Sequence, residues 1–234
     1  MVATRYIGIT DVANRAQVEI FKMACSLYRK DRLPREQRPV FHAGVMMSYK
    51  TLHGFASKWS DTFPSKEVIR DVFSVPGVMN CLHYADYDAI DVTDSLVKAM
   101  DIAGPAMNAL QLDMVWPEPE YLMSAMQRSG RKNKPETILQ IGRNAMSKCG
   151  DNPDLVAEKL CQYGDSITHV RLDKSGGEGK EMDVSELLRY AAAIHERRPD
   201  LGKVFAGGLC AETAHTLNSI MSIYPASCDA QGTM

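Results

Sequence analysis

The sequence lacks the features by which several large classes of protein are recognised. No segment approaches the length of a membrane span, and the start, MVATRYIGIT, has no apolar core of the kind that marks a secretory signal. The six cysteines show neither a CxxC pair nor the spacing of metal ligands, so we expect reduced thiols that pack as small apolar residues. These absences predict a cytoplasmic protein with no membrane partner, no metal and no cofactor.

The sequence also lacks an excess of charge of one sign. Its 27 basic and 29 acidic residues give a formal net charge of −2, and the basic ones are scattered. Because binding to the nucleic-acid backbone requires a concentrated basic surface, we expect no nucleic-acid partner. The densest basic run, RSGRKNK at 128–134, is interpreted as a solvated loop, with a patch for an anionic ligand as the alternative.

Linkers, low-complexity tracts and internal repeats are absent as well, so we predict that residues 1–234 form one domain. Short apolar runs alternate with amphipathic helical stretches along the whole chain. Eight of these runs are predicted as strands, at 5–10, 40–47, 78–84, 109–114, 137–141, 166–172, 203–206 and 226–230. This alternation favours an α/β fold, a (β/α)8 TIM barrel, over a doubly wound sheet.

One part of the barrel pattern is missing, because the printed sequence stops at Met234, where an eighth helix is expected to begin. Two interpretations stay open. Either the sequence is truncated, or the barrel is open there and a partner subunit covers it as a homodimer, since an uncovered wall would expose apolar side chains.

The most informative stretch is HVRLDKSGGEGK at 169–180. It reads as a short strand that ends at Asp173, then a loop containing Gly176, Gly177 and Gly179, and a helix that opens near Asp183. Glycines in such a loop let backbone N–H groups approach an anion such as a phosphate. The alternative is a flexible turn that Asp173 merely orders by local hydrogen bonds.

Several motifs resemble the phosphoribosylanthranilate isomerase family of phosphate-binding barrels. They are LDKSGGEGKEMDVSELL at 172–188, FAGGLCAET at 205–213, QLD at 111–113 with PEYL at 119–122, and GIT at 8–10. The resemblance implies an Amadori rearrangement of a phosphorylated ribosyl small molecule, in which an acid protonates the furanose ring oxygen and a base removes the C2 proton. It makes Asp173 the general acid. It also implies that backbone amides hold the substrate phosphate at Gly176, Gly177, Gly179, Gly207, Gly208 and Gly232.

The chain departs from this family where the base is expected. The family carries a cysteine just before its strand-one Gly-Ile-Thr, and here that residue is Ile7, which cannot accept a proton. Asp11, at the end of the first strand, is a candidate replacement, although capping of the following helix also explains it. Asp113 replaces the family's strand-four histidine. It is expected to face the barrel mouth opposite Asp173, where two carboxylates would push one pKa upward. The alternative is an Asp that is hydrogen-bonded in a turn before Trp116 and Pro117.

Two further residues are predicted to contact the ligand. His83 lies near the end of the third predicted strand, and Arg143 follows the fifth on a loop. For each, an ordinary structural role is the alternative.

Two main functional hypotheses follow, and a related barrel enzyme such as an epimerase or aldolase is a third option. The first is an isomerase similar to phosphoribosylanthranilate isomerase, with Asp173 as general acid. The second is a non-catalytic protein that sequesters or senses a phosphorylated ribosyl metabolite or nucleotide, because Ile7 stands at the base position.

Overall fold

Eight parallel strands close into a barrel in the computed structural model, which describes residues 3–29, 38–58, 63–175 and 182–230. The strands follow one another in chain order around the barrel, and β8 pairs with β1, with Gly8 opposite Asp229. The strands are β1 (Tyr6–Ile9), β2 (Val40–Ser48), β3 (Met79–Ala85), β4 (Ala109–Asp113), β5 (Glu136–Gly142), β6 (His169–Asp173), β7 (Gly202–Ala206) and β8 (Ser227–Ala230). The predicted fold class is confirmed.

Helices surround this barrel. Within the described ranges they are α1 (Arg15–Arg29), α2 (Tyr49–His53), α3 (Lys66–Val72), α4 (Val92–Ala103), α5 (Pro119–Arg128), α6 (Arg143–Ser147), α7 (Pro153–Cys161), α8 (Val184–Arg197) and α9 (Leu217–Met221). The same described ranges contain 3-10 turns at 164–166 and 214–216. No helix in the described part of the chain is both long and apolar enough to cross a membrane.

Local side-chain contacts fix where several helices begin. Asn14 Oδ1 accepts from the N–H of Gln17 at 3.1 Å, and Gln17 Oε1 accepts from the N–H of Ala13 at 2.8 Å. The prediction that Asp11 caps α1 is therefore wrong, because Asn14 stands next to the helix and supplies the acceptor.

The predicted start of a helix near Asp183 is confirmed by α8. Asp183 caps the helix by accepting from the N–H of Glu186 at 2.9 Å. Glu186 has the spacing to complete a reciprocal capping box, but its carboxylate binds Lys174 Nζ at 2.6 Å.

Side chains alternate between the two faces of each strand, and this alternation separates two cores. The outward side chains, such as Leu82, Leu139 and Phe205, join the large core beneath the helices. The inward side chains form a small apolar layer at the amino end of the barrel. That layer consists of Tyr6, Met79, Cys81, Ala109, Ile138 and Val204. Above it, toward the carboxyl ends of the strands, the interior becomes polar.

The seam between β1 and β8 is closed by hydrogen bonds. Ser227 Oγ accepts from the N–H of Tyr6 at 3.0 Å, and the carbonyl of Ala230 accepts from the N–H of Thr10 at 2.9 Å. The expectation of a barrel that is open at this point is therefore wrong.

Candidate active site

A buried cation, Arg171, lies at the centre of the polar interior. It points inward from β6 with 1% of its side chain exposed. Its Nη1 lies 3.1 Å from Asp173 Oδ2 and also donates to Gln140 Oε1. Its Nε lies 3.3 Å from Asp229 Oδ2, an ionic contact without hydrogen-bond geometry. Burial alone would lower the pKa of Arg171, but Asp173 and Asp229 outweigh that and raise it.

Asp113 joins the same network from β4. Its Oδ1 accepts from Gln140 Nε2 at 3.0 Å, and its Oδ2 accepts from the hydroxyl of Tyr87. Burial raises the pKa of Asp113, and the charge of Asp173 adds to the rise, while Tyr87 and Arg171 oppose it. Gln140 and Arg171 therefore bridge Asp113 to Asp173 across the barrel mouth, so the two carboxylates share one site.

Asp173 ends β6 and receives several donors. Its Oδ1 accepts from the N–H of Ser175 at 2.9 Å and from the hydroxyl of Ser175 at 2.6 Å, while its Oδ2 faces Arg171. Gly207, with φ at 118°, packs directly against this carboxylate. A Cβ at Gly207 would come within 3.3 Å of Asp173 Oδ1, which explains why glycine suits this turn.

A cavity of about 220 Å³ adjoins Asp173 where the carboxyl ends of β5, β6 and β7 meet. Among the described residues, its lining carries two cations and two carboxylates. The lining residues are Arg143, Lys174, Ser175, Met182, Asp183, Glu186, Leu187, Ala206 and Gly207. Arg143 is the first residue of α6, so its predicted placement on a loop is wrong.

The structure separates the other predicted site residues. His83 lies near the end of β3, as predicted, but its side chain is inside the barrel with 2% exposure and its ring contacts Gln111 Nε2 at 3.0 Å. Directly after β1, Thr10 reaches the polar cluster and donates to Asp229 Oδ1 at 2.8 Å. Asp11 follows it with φ at 65°. Ile7 alternates with the inward-facing Tyr6 and lies on the outer face of the barrel.

The glycine predictions are only partly covered by the structure. Gly207 and Gly208 both have positive φ and follow β7. Gly176, Gly177, Gly179 and Gly232 lie outside the described residues.

Sequence reasoning missed four members of this cluster. Arg171 stands two residues before Asp173 in the same strand, so strand alternation would have placed both on one face. Gln140 has the same relation to the end of β5, and Asp229 lies within the eighth strand. The sequence has no pattern that would identify Tyr87, because its contact with Asp113 depends on the path of the loop after β3.

Several buried polar atoms around Arg171 have no hydrogen-bond partner among the described residues. They are Tyr6 Oη, His42 Nδ1 and Nε2, Gln111 Oε1, Arg171 Nε and Asp229 Oδ2. Burial lowers the pKa of His42 to about 4, so its ring is neutral at physiological pH. Unsatisfied buried polar groups are costly, and proteins accept such costs mainly at functional sites.

Backbone strain points to the same end of the barrel. In the described ranges, five residues other than glycine have positive φ: Asp11, Ala89, Asp91, Trp116 and Asp151. All five lie in connections that leave the carboxyl ends of β1, β3, β4 and β5. Such conformations cost of order 1–3 kcal/mol each for bulky residues and concentrate at functional sites. The carboxyl ends of the strands are also where the active sites of TIM-barrel enzymes lie.

Comparison with known proteins supports the fold. No protein-family model and no curated protein matches this chain. A putative lyase/mutase from Burkholderia cenocepacia J2315 is 11% identical, with a TM-score of 0.54 over 99% of this chain and 77% of that one. Phosphonopyruvate hydrolase, in a complex with oxalate and Mg++, is 9% identical, with a TM-score of 0.58 over 97% and 75%. The putative copper homeostasis protein CutC from Streptococcus agalactiae is 10% identical, with a TM-score of 0.54 over 98% of both chains.

At these identities the likeness shows the α/β barrel alone. The isomerase family suggested by the sequence motifs gains no support from these comparisons. Among the described residues, no group of three or more His, Cys, Asp or Glu side chains is arranged to hold a metal ion.

Proposed function

We propose that this protein is an acid–base isomerase for a phosphorylated ribosyl small molecule, with a reaction of the phosphoribosylanthranilate isomerase kind. The observation that supports it most is the pairing of Asp113 and Asp173 through Gln140 and Arg171 at the barrel mouth. Two carboxylates in different environments provide the acid and the base that an Amadori rearrangement needs.

The contacts favour one assignment of roles. Burial raises the pKa of Asp113, so this carboxyl group retains a proton to higher pH and acts as the acid toward the furanose ring oxygen. Asp173 is surrounded by donors from Ser175 and Arg171, an arrangement that suits a proton acceptor at C2. This reverses the role that the sequence motif assigns to Asp173.

The substrate phosphate is proposed to occupy the cavity beside Asp173. Arg143 and Lys174 line it, and phosphate sites in TIM barrels commonly form near the loops of the later strands. A ligand held there by its phosphate would extend its sugar toward Asp173 and Asp113.

The test is turnover of phosphoribosylanthranilate, followed by its fluorescence. Asp113→Asn and Asp173→Asn are each expected to lower kcat by about 10²–10⁴, the usual contribution of a general acid or base. Asp154→Asn is the control, because Asp154 pairs with Arg197 on the surface. Turnover by both site variants at the wild-type rate would refute the assignment.

A non-catalytic binding protein is the second candidate, and Ile7 favours it. The family's base position holds an apolar residue that lies on the outer face of the barrel, so no proton acceptor stands there. This candidate predicts that phosphorylated sugars raise the melting temperature without turnover, since ligand at about 100 times Kd stabilises a fold by roughly 2.7 kcal/mol.

A further inference from the structure

The cavity beside Asp173 has two cationic sides that belong to different elements. Arg143 begins α6 and donates from Nη2 to the carbonyl of Lys174 at 3.3 Å. Lys174 directly follows β6. Ser175 and Gly207 form the edge that touches Asp173. A volume of about 220 Å³ is below the roughly 300–1,000 Å³ of pockets for drug-sized ligands, so it suits a compact group.

Lys174 is held by carboxylates of this chain. Its Nζ lies 2.6 Å from Glu186 Oε1 and 3.5 Å from Asp151 Oδ1, with about a third of its side chain exposed. The hydrogen bond that Lys174 donates to Glu186 contributes most to raising the pKa of Lys174, so the ammonium stays charged. A lysine ammonium is a compact charge on a flexible stem, so it can exchange one oxygen partner for another.

Asp183 cannot exchange in the same way. Its carboxylate accepts from the N–H of Glu186 and from the hydroxyl of Ser185, both at 2.9 Å, and it caps α8. The hydrogen bond from the Glu186 N–H lowers the pKa of Asp183, so it remains charged beside the cavity. An incoming anion therefore meets Arg143 and Lys174 together with two carboxylates.

We infer that this cavity selects compact dianions, and that Glu186 acts as an internal competitor which holds Lys174 until a dianion takes its place. A monoanion offers Lys174 no more charge than Glu186 already does. A phosphate group carries a charge of about −1.5 to −2 at pH 7 and three strong acceptor oxygens, so it outcompetes a single carboxylate. The inference rests on the proposed function, which places the substrate phosphate in this cavity, and adds that Glu186 excludes carboxylates and other monoanions by competing for Lys174.

The inference gives Glu186 a measurable role. Its negative charge competes for Lys174 and repels the bound dianion. Glu186→Gln removes that charge and keeps the shape of the side chain. It should therefore tighten phosphate binding and weaken the discrimination against monoanions.

The experiment is calorimetric titration of the full chain with inorganic phosphate, sulfate and acetate. Phosphate and sulfate are expected to bind and acetate is not. Phosphate affinity should rise as pH increases through its second ionisation near pH 6 to 7, while sulfate affinity stays constant. Lys174→Met and Arg143→Met should each weaken phosphate binding by about tenfold or more, because each loses a charge-assisted contact.

Matched variants keep the result interpretable. Lys148→Met makes the same change of charge at an exposed position at the end of α6 and should leave the affinity unchanged. Lys174→Arg keeps the charge and should retain most of the binding, which separates loss of the cation from loss of the fold. Equal binding of acetate and phosphate, or phosphate affinity that Lys174→Met leaves intact, would overturn the inference.

The two proposals fail separately. If phosphate binds selectively through Lys174 and phosphoribosylanthranilate is not turned over, the isomerase proposal fails and the dianion site stands. If turnover depends on Asp113 and Asp173 but phosphate affinity does not depend on Lys174, the dianion site fails and the isomerase proposal stands.

Discussion

At the scale of single residues, Arg171 is the side chain on which the interior depends. It is buried between Asp173 and Asp229, and replacing it with an apolar residue would leave both carboxylates without their cation. Breaking a buried ion pair by removing one partner costs about 3–5 kcal/mol. We expect Arg171→Met to lower the free energy of unfolding by that amount, measured by urea denaturation.

A surface pair provides the comparison. Arg197 lies 2.9 Å from Asp154, and both side chains are more than a third exposed. Exposed pairs contribute about 0–1 kcal/mol, so Arg197→Met should change stability little. Adding Asp229→Asn to Arg171→Met should recover part of the loss. Equal costs at Arg171 and Arg197 would show that the buried contact is not what stabilises the interior.

The raised pKa of Asp113 predicts that the free energy of unfolding decreases as pH rises. Because burial raises its pKa in the folded state, the unfolded chain releases this proton first as pH rises. The free energy of unfolding therefore decreases as pH rises from the pKa of the unfolded state, about 3.9, to the pKa of the folded state. Above the folded-state pKa it stays at this lower level. Asp113→Asn cannot ionise, so its stability relative to wild type should increase over that window.

Urea denaturation at a series of pH values from about 2 to 7 measures this difference. Asp200→Asn is a control of opposite sign. Its hydrogen bond with Arg198 lowers the pKa of Asp200, so this carboxylate stabilises the fold above its unfolded pKa, and the contribution is lost as pH falls. A stability difference for Asp113→Asn that does not vary with pH would contradict the raised pKa.

At the scale of the elements, β1 packs closely because Gly8 has no side chain. A Cβ there would lie 2.7 Å from His42 Nδ1 and 2.9 Å from Asp229 Oδ1, both buried. Overpacking of a buried site costs about 1–3 kcal/mol, and Gly8→Ala is expected to cost at least that much, measured by thermal and urea unfolding. Gly142→Ala is the control, because its nearest neighbour would be a backbone oxygen at 3.5 Å. Similar losses at the two glycines would contradict this account of β1.

The strands and most helices were predictable from the sequence because their signals are local. Alternating apolar residues and caps such as Asn152 and Asp183 act within a few positions, and both caps are made as their types suggest. The start of α1 was misjudged because Asp11 and Asn14 are both good caps, and only the position of the helix decides between them.

At the scale of the whole molecule, closure of the barrel decides which residues meet, and the sequence carries little information about that. Asp113 and Asp173 were predicted to share the mouth from the positions of their strands alone. Their connection through Gln140 and Arg171 required the relative heights of β4, β5 and β6. The pairing of Leu112 with Leu139 and of Gln140 with Arg171 sets these heights. The outward position of Ile7 could not be fixed either, because a shift of one residue reverses the faces of a strand.

The seam between β1 and β8 closes the barrel and joins the two ends of the described chain. Ser227→Ala removes the acceptor for the buried N–H of Tyr6, and an unsatisfied buried donor costs about 1–3 kcal/mol. Because the strands form one continuous barrel, the loss of stability should lower the midpoints of tryptophan fluorescence and far-ultraviolet circular dichroism equally during urea unfolding.

Ser166→Ala is the control. Ser166 Oγ donates to the carbonyl of Tyr163, which in the variant still accepts from the N–H of residue 166, a bond of 2.8 Å in the wild type. The loss of stability in Ser166→Ala should therefore be smaller. Separate midpoints for the two signals in Ser227→Ala would mean that the seam opens before the rest of the barrel, because β8 would then be held mainly by β7.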